Sequence, residues 1–254
     1  MTLPLASKIA LVTGASRGIG AAIARRLAAE GASVLVHFNT RREQGQGVVD
    51  DIRASGGMAE LAGADLSQPD GPAALIAQLD PAFGGQFAGR LDVLVNNAGT
   101  FAFGSLADAT DESFDTLFNL NVRAVFQLSR EAARRMTLAG WGRIVNTGSV
   151  FGEAAPSPGM SIYCGSKFAV QGFTRAWSRD LGPKGITVNN VQPALILSKP
   201  DPASGPEFDA MKRFNSVGRF GKPNDVAEAV AFLASPKASF VNGESLNVDG
   251  GWLA

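Results

Sequence analysis

Seven short runs rich in Val, Ile and Leu recur along this chain, separated by longer segments of helical periodicity, and that alternation limits the fold more than any other feature. The runs fall at 9–12, 33–38, 58–62, 91–95, 142–146, 186–191 and 245–248. They are continuous apolar stretches more than alternating ones, which suits parallel strands covered on both faces. Helical patterns lie at 22–30, 42–55, 72–79, 111–139, 162–181 and 223–234. Strand, helix, strand repeated in this way predicts an α/β fold with one doubly wound parallel sheet of about seven strands. At 254 residues and 45 % apolar composition the chain can fill such a core as a single domain, residues 1–254.

Two segments carry extra information. Within 111–139, Phe114, Leu117, Phe118, Val122, Val125, Phe126 and Leu128 spread apolar residues around much of one helix. That pattern fits a buried helix, or one packed on both the sheet and another subunit. The stretch 200–220, with Pro200, Pro202, Gly205 and Pro206, reads as a loop holding a short helix. Loops of that length are usually functional, so 195–220 is the expected substrate loop.

Charge and composition exclude several classes. Formal net charge is zero, charged residues are 18 %, and no basic patch stands out, so nucleic acid is not an expected partner. Arg41-Arg42 and Arg134-Arg135 read as solvated helix faces. Cys164 is the only cysteine, which rules out a disulfide framework, and it reads as a small packed residue rather than a nucleophile. With one histidine besides, no metal site is expected. No cationic start precedes a long apolar stretch, and Ile9-Ala10-Leu11-Val12 is too short to span a bilayer. The expectation is a cytoplasmic protein with no membrane partner.

The chemistry-bearing residues follow. Tyr163 is the only tyrosine, and Lys167 lies four residues on, so a helix places both on one face. A nearby ammonium favours phenolate, and such a phenol can give a proton to a carbonyl oxygen or take one from an alcohol. Thr13-Gly14-Ala15-Ser16-Arg17-Gly18-Ile19-Gly20 follows the first strand and opens the first helix. Its glycines let the backbone approach a pyrophosphate at the positive helix N-terminus. Gly14, Ser16 and Gly18 also match the Gly-x-Ser-x-Gly elbow of serine hydrolases. That reading fails on partners, because the only histidine, His37, sits on the second strand.

The second strand runs into Phe38-Asn39-Thr40-Arg41-Arg42, with no acid before Glu43. An acid here would hold a free ribose 2′-hydroxyl; arginines attract a 2′-phosphate, which favours NADP(H) over NAD. Asp65-Leu66 follows the third strand, where an adenine edge would lie, and Asn96-Asn97-Ala98-Gly99 follows the fourth.

Taken together, Thr13–Gly20, Asp65, Asn96–Gly99, Asn121, Ser149, Tyr163-x-x-x-Lys167 and Val248-Asp249-Gly250-Gly251 resemble the short-chain dehydrogenase/reductase family from Lys8 to Gly251. The resemblance implies a Rossmann-like fold, an NAD(P)-dependent oxidoreductase, a small-molecule carbonyl substrate and a homotetramer or dimer. Carried over, Tyr163 is the acid/base, Ser149 bonds the substrate oxygen, Lys167 holds the nicotinamide ribose and lowers the Tyr163 pKa, and Asn121 anchors a relay water. Gly14, Ser16, Arg17, Gly18, Ile19, Gly20, Phe38, Asn39, Asp65, Leu66, Asn97, Ala98, Gly99, Thr147, Pro193, Ala194, Ile196 and Ser198 are the implied further cofactor contacts. Two departures stand out. Ser149 and Tyr163 are one residue further apart than is commonest, and Pro193-Ala194 replaces the usual Pro-Gly. Alanine resists positive φ, so a different local geometry is expected there. Part of the C-terminal half is also similar to a bacterial subgroup with a cyclic-dinucleotide-binding member, which implies a nucleotide-responsive binding protein as the alternative.

Overall fold

The computed structural model describes residues 2–86, 89–197 and 205–254. Seven parallel strands form one sheet in the order β3-β2-β1-β4-β5-β6-β7. They are β1 Ile9–Val12, β2 Ser33–Phe38, β3 Met58–Gly63, β4 Val93–Asn96, β5 Gly142–Thr147, β6 Ile186–Pro193 and β7 Ser245–Val248. The helices are α1 Gly18–Ala29, α2 Arg42–Ala54, α3 Gly71–Ile76, α4 Asp111–Phe118, α5 Ala124–Ala139, α6 Ser161–Leu181, α7 Pro206–Lys212 and α8 Pro223–Ala234. The doubly wound Rossmann-like architecture expected from the apolar runs is therefore present.

Strand side chains alternate between two apolar layers, as a period of two requires. Ala10 and Val12 join Ile23, Leu27, Val48 and Val230 under α1, α2 and α8. Leu11 joins Leu75, Leu128, Met136 and Val188 under α3 and α5 on the other face. β1, β2, β4 and β6 are buried throughout, because both layers are covered. Winding reverses between β1 and its neighbour β4, so a crevice opens outside their carboxyl ends.

The segment 111–139 is not one helix. A capping box of Thr110 and Ser113 starts α4, and a π-helical turn, Asn119–Arg123, separates α4 from α5. One extra residue in that turn shifts the helical register, and such bulges recur at functional sites. Here it carries Asn121, which is 2 % exposed. The expected short helix in the 200–220 loop is α7.

Candidate active site

The crevice is braced by cross-bonds between its two lips. Thr13 Oγ1 accepts the backbone N–H groups of Asn97 and Ala98, both at 2.9 Å. Asn97 Nδ2 returns bonds to the carbonyls of Thr13 at 2.9 Å and Gly14 at 3.2 Å. A Cβ on Gly14 would stand 2.9 Å from Ala98 Cα, and one on Gly20 would stand 2.4 Å from the Gly14 oxygen, so both positions require glycine. His37 is a third brace. Gly14 N–H donates to its Nδ1 at 3.0 Å, and Nε2 lies 3.0 Å from the Ala64 carbonyl, which puts the proton on Nε2. Burial holds this imidazole below its ordinary pKa, against the Ala64 bond and the Asp65 charge. It therefore stays a neutral acceptor at neutral pH. In sequence Thr13 is the first residue of the glycine turn, and His37 reads equally as a plain strand residue or a cofactor contact. His37 lines the cleft, and what both side chains brace needs the folded chain.

Gly14, Ser16, Arg17, Gly18, Ile19 and Gly20 line a cleft of about 440 Å³, with Asn39, Leu66, Asn97, Ala98 and Gly99 completing it. Arg17 and Arg41 line it and no carboxylate does. The α1 N-cap, Arg17, supplies no side-chain acceptor to the first turn, which leaves those N–H groups for an anion. A turn that a Cβ would block, an open helix N-terminus and a carboxylate-free lining fit the pyrophosphate and 2′-phosphate of a dinucleotide. A wider groove of about 1310 Å³ over α1, α2 and α8 shares Ser16, Arg17 and Arg41 but reaches none of Ser149, Tyr163 and Lys167.

Several expected contact residues do not line this cleft. Phe38 is 8 % exposed, its ring lying where a Cβ on Gly63 would come within 2.7 Å, and Asn39 takes the cleft position. Adjacent strand residues face opposite ways, so only one of the two can line the cleft. Asp65 does not line it either. Its Oδ1 accepts the Ser67 hydroxyl at 2.7 Å and the Ser67 N–H at 3.0 Å, and the hydroxyl is the main cause holding this carboxyl below its usual range. Pro193, Ala194 and Ile196 close β6 outside the cleft lining, with Ile196 bridged to Gly221. Among the described residues only Ser7 and Phe83 are non-glycines with positive φ, so Ala194 carries no such strain. Ser198 lies outside the described residues.

Tyr163 and Lys167 project from the first two turns of α6, and Thr147 ends β5 beside them. Lys167 Nζ donates to the Thr147 carbonyl at 2.8 Å and lies 5.7 Å from the Tyr163 ring centre. Ser149 hydrogen-bonds the phenol, and its oxygen accepts the Phe151 N–H at 3.2 Å. The expected lowering of the phenol pKa is not present. Burial pushes Tyr163 above its ordinary value, with the Ser149 bond opposing, and burial pulls Lys167 down to about 8. Desolvation wins because Lys167 is buried, Tyr163 is half-buried, and the ammonium is spent on a carbonyl. Cys164 is buried beside them, its thiol pushed up by burial, as a packed residue should be.

Asn121 ties the β4 loop to α6. Its Nδ2 donates to the Thr100 carbonyl at 2.8 Å and to Ser166 Oγ at 3.1 Å, and its Oδ1 accepts the Thr100 N–H at 2.9 Å. Gly99 sits against this bridge: a Cβ there would lie 3.2 Å from Asn121 Oδ1 and 3.7 Å from Lys167 Nζ. The glycine-lined cleft and the Ser149, Tyr163 and Lys167 group are thus neighbours, and together they supply an anion cradle, a hydroxyl, a phenol and a buried cation. Among the described residues no set of three metal ligands clusters. Trp252 packs on Phe151 of its own chain at 5.9 Å between ring centroids.

The family model described as enoyl-(acyl carrier protein) reductase matches residues 14–253. The chain is 38 % identical to the cyclic-di-GMP-binding biofilm dispersal mediator protein of Escherichia coli, across 97 % of this chain and 98 % of that one. It is 40 % identical to versicolorin reductase 1 of Aspergillus parasiticus, across 97 % of each. A short chain dehydrogenase from Burkholderia cenocepacia, solved in complex with NADP, superposes with a TM-score of 0.88 at 44 % identity, over 99 % of this chain and 100 % of that one. The chain belongs to the short-chain dehydrogenase/reductase family, a family of NAD(P)-dependent oxidoreductases.

Proposed function

We propose that the protein is an NADPH-dependent carbonyl reductase that interconverts a ketone or keto ester and a secondary alcohol. The observation that carries the reading is the meeting of Ser149, Tyr163 and Lys167 beside a glycine-lined cleft that holds Arg17 and Arg41 and no carboxylate. Bound in that cleft, the nicotinamide cofactor supplies the hydride. Tyr163 gives its phenolic proton to the carbonyl oxygen. Ser149, fixed by the Phe151 N–H, directs a hydrogen bond to the same oxygen. Lys167 supplies positive charge beneath the phenol and steadies the developing phenolate. Asn121 positions the floor by holding Thr100 to Ser166, and bears the relay water.

NADP(H) is favoured because Asn39, Arg17 and Arg41 line the cleft where an acid would otherwise receive a free ribose. The relative solved with NADP supports this choice. A nucleotide-responsive binding role is the alternative, supported by the likeness to the cyclic-di-GMP-binding mediator. The assembled proton-transfer group argues for catalysis, since binding alone has no need of it.

We also infer a cytoplasmic homotetramer. Among the described residues no helix is long and apolar enough to cross a membrane. Two separate surfaces present large apolar side chains. Phe126 stands exposed on α5 beside the stacked rings of Phe173 and Trp177, and Phe114, exposed on α4, stacks on Phe118. Phe232 and Phe240 stand exposed on α8 and in the segment before β7. Dihedral tetramers need two distinct self-complementary patches, and these exposed aromatic residues support that reading.

Three outcomes check this. Tyr163→Phe should reduce ketone turnover by at least about a hundredfold, the scale of general acid catalysis, while NADPH affinity holds. Near-normal turnover would remove the mechanism. Asn39→Asp, rather than a change at buried Phe38, should move the kcat/KM ratio toward NADH by about tenfold. Better use of NADH than NADPH by the unchanged protein would contradict the cofactor assignment. Light scattering at micromolar concentration should give a tetramer mass; a monomer rejects the assembly.

A further inference from the structure

Five aromatic rings form a contiguous string through Tyr163. Centroids lie 5.6 Å apart for Phe103 and Phe101, 6.3 Å for Phe101 and Tyr163, 5.8 Å for Tyr163 and Phe151, and 5.9 Å for Phe151 and Trp252. The first three contacts are edge-on. In each such pair the edge of one ring meets the face of the other. Phe101 and Phe103 are 62 % and 69 % exposed, so the string is not core packing.

The far end of the string is built, although it belongs to a chain terminus. Asp249 Oδ1 accepts the Gly251 N–H at 2.9 Å, and Oδ2 accepts the Leu253 N–H at 3.0 Å. Gly250 and Gly251 have φ of 65° and 78°, which lets the chain turn back on itself. The Gly250 carbonyl accepts Ser216 Oγ at 3.0 Å and the Val217 N–H at 3.1 Å, fastening the tail to the end of the substrate loop. The tail is thus tied at both sides of Trp252, and the indole rests on Phe151.

We propose that Trp252 is a specificity-determining residue, the outer wall of an aromatic subsite that takes a planar aryl or fused-ring ketone with its carbonyl at Tyr163. This rests on the reductase reading and narrows its substrate. A flat ring system entering between Phe101 and Trp252 meets aromatic surface along its length, whereas a short alkyl ketone reaches only Tyr163 and its nearest neighbours.

Calorimetric binding of 2-naphthol to the NADP⁺-loaded protein reads the subsite without turnover. Trp252→Ala should weaken that binding by about tenfold, the scale of one aromatic contact with its buried area, and Trp252→Phe should keep most of it. NADP⁺ affinity should hold in both. In ketone reduction, Trp252→Ala should raise KM for 1-tetralone by a similar factor and leave a small alkyl ketone within about twofold. Unchanged naphthol binding in Trp252→Ala, or equal losses on both ketones, would overturn the proposal. Naphthol binding that depends on Trp252 in a protein reducing neither ketone would sustain the subsite and remove the reductase reading instead.

Discussion

A lysine ammonium buried without a carboxylate partner is the most demanding feature of this molecule, and the site is arranged around it. Lys167 is 8 % exposed, and among the described residues its one hydrogen-bond acceptor is the Thr147 carbonyl. Burial drives its pKa down to about 8, because desolvation disfavours the charged form there. A fold maximising its own stability would place an apolar side chain at this position. Retention of the cation is intelligible if the bound state supplies what the free protein withholds: ribose hydroxyls to accept its remaining N–H groups, and a phenol whose anion it can steady. The surrounding braces then have a purpose. Asn121, lifted by the π-helical turn, fixes α6 against the β4 loop, and Thr13, Asn97 and His37 fix the glycine turn against the same loop.

Much of this was legible in the residues. Continuous apolar runs gave the parallel sheet because both of its faces are covered, and β1, β2 and β7 fall where those runs predict. The Tyr163 and Lys167 spacing needed only helical geometry. Three things needed the folded chain. The π-helical turn has no compositional signal, since Asn119-Leu120-Asn121-Val122-Arg123 reads as ordinary helix. The choice between Phe38 and Asn39 depends on which face of β2 the cleft occupies, and a one-residue difference reverses it. The phenol pKa depends on burial, which opposes the Ser149 hydrogen bond and here exceeds it.

Trp252 teaches a related lesson. A large apolar residue near a terminus argues for a partner when the tail is free. Asp249, Gly250 and Gly251 show that this tail is not free: a carboxylate accepting two N–H groups and two residues of positive φ make a compact turn. The same three residues that resemble a family signature in sequence act in space as the hinge that returns the indole to Phe151.

The central claim is that burial raises the Tyr163 pKa in the free protein and that cofactor binding, acting with Lys167, brings the phenol toward working pH. Because Tyr163 is the only tyrosine, tyrosinate absorbance near 295 nm reports this one group. Titration below the limit of alkaline unfolding should place the free protein's midpoint above the ordinary phenol value of about 10, and saturating NADP⁺ should lower it. A free-protein midpoint at or below about 10, or one that NADP⁺ leaves unmoved, would contradict the account.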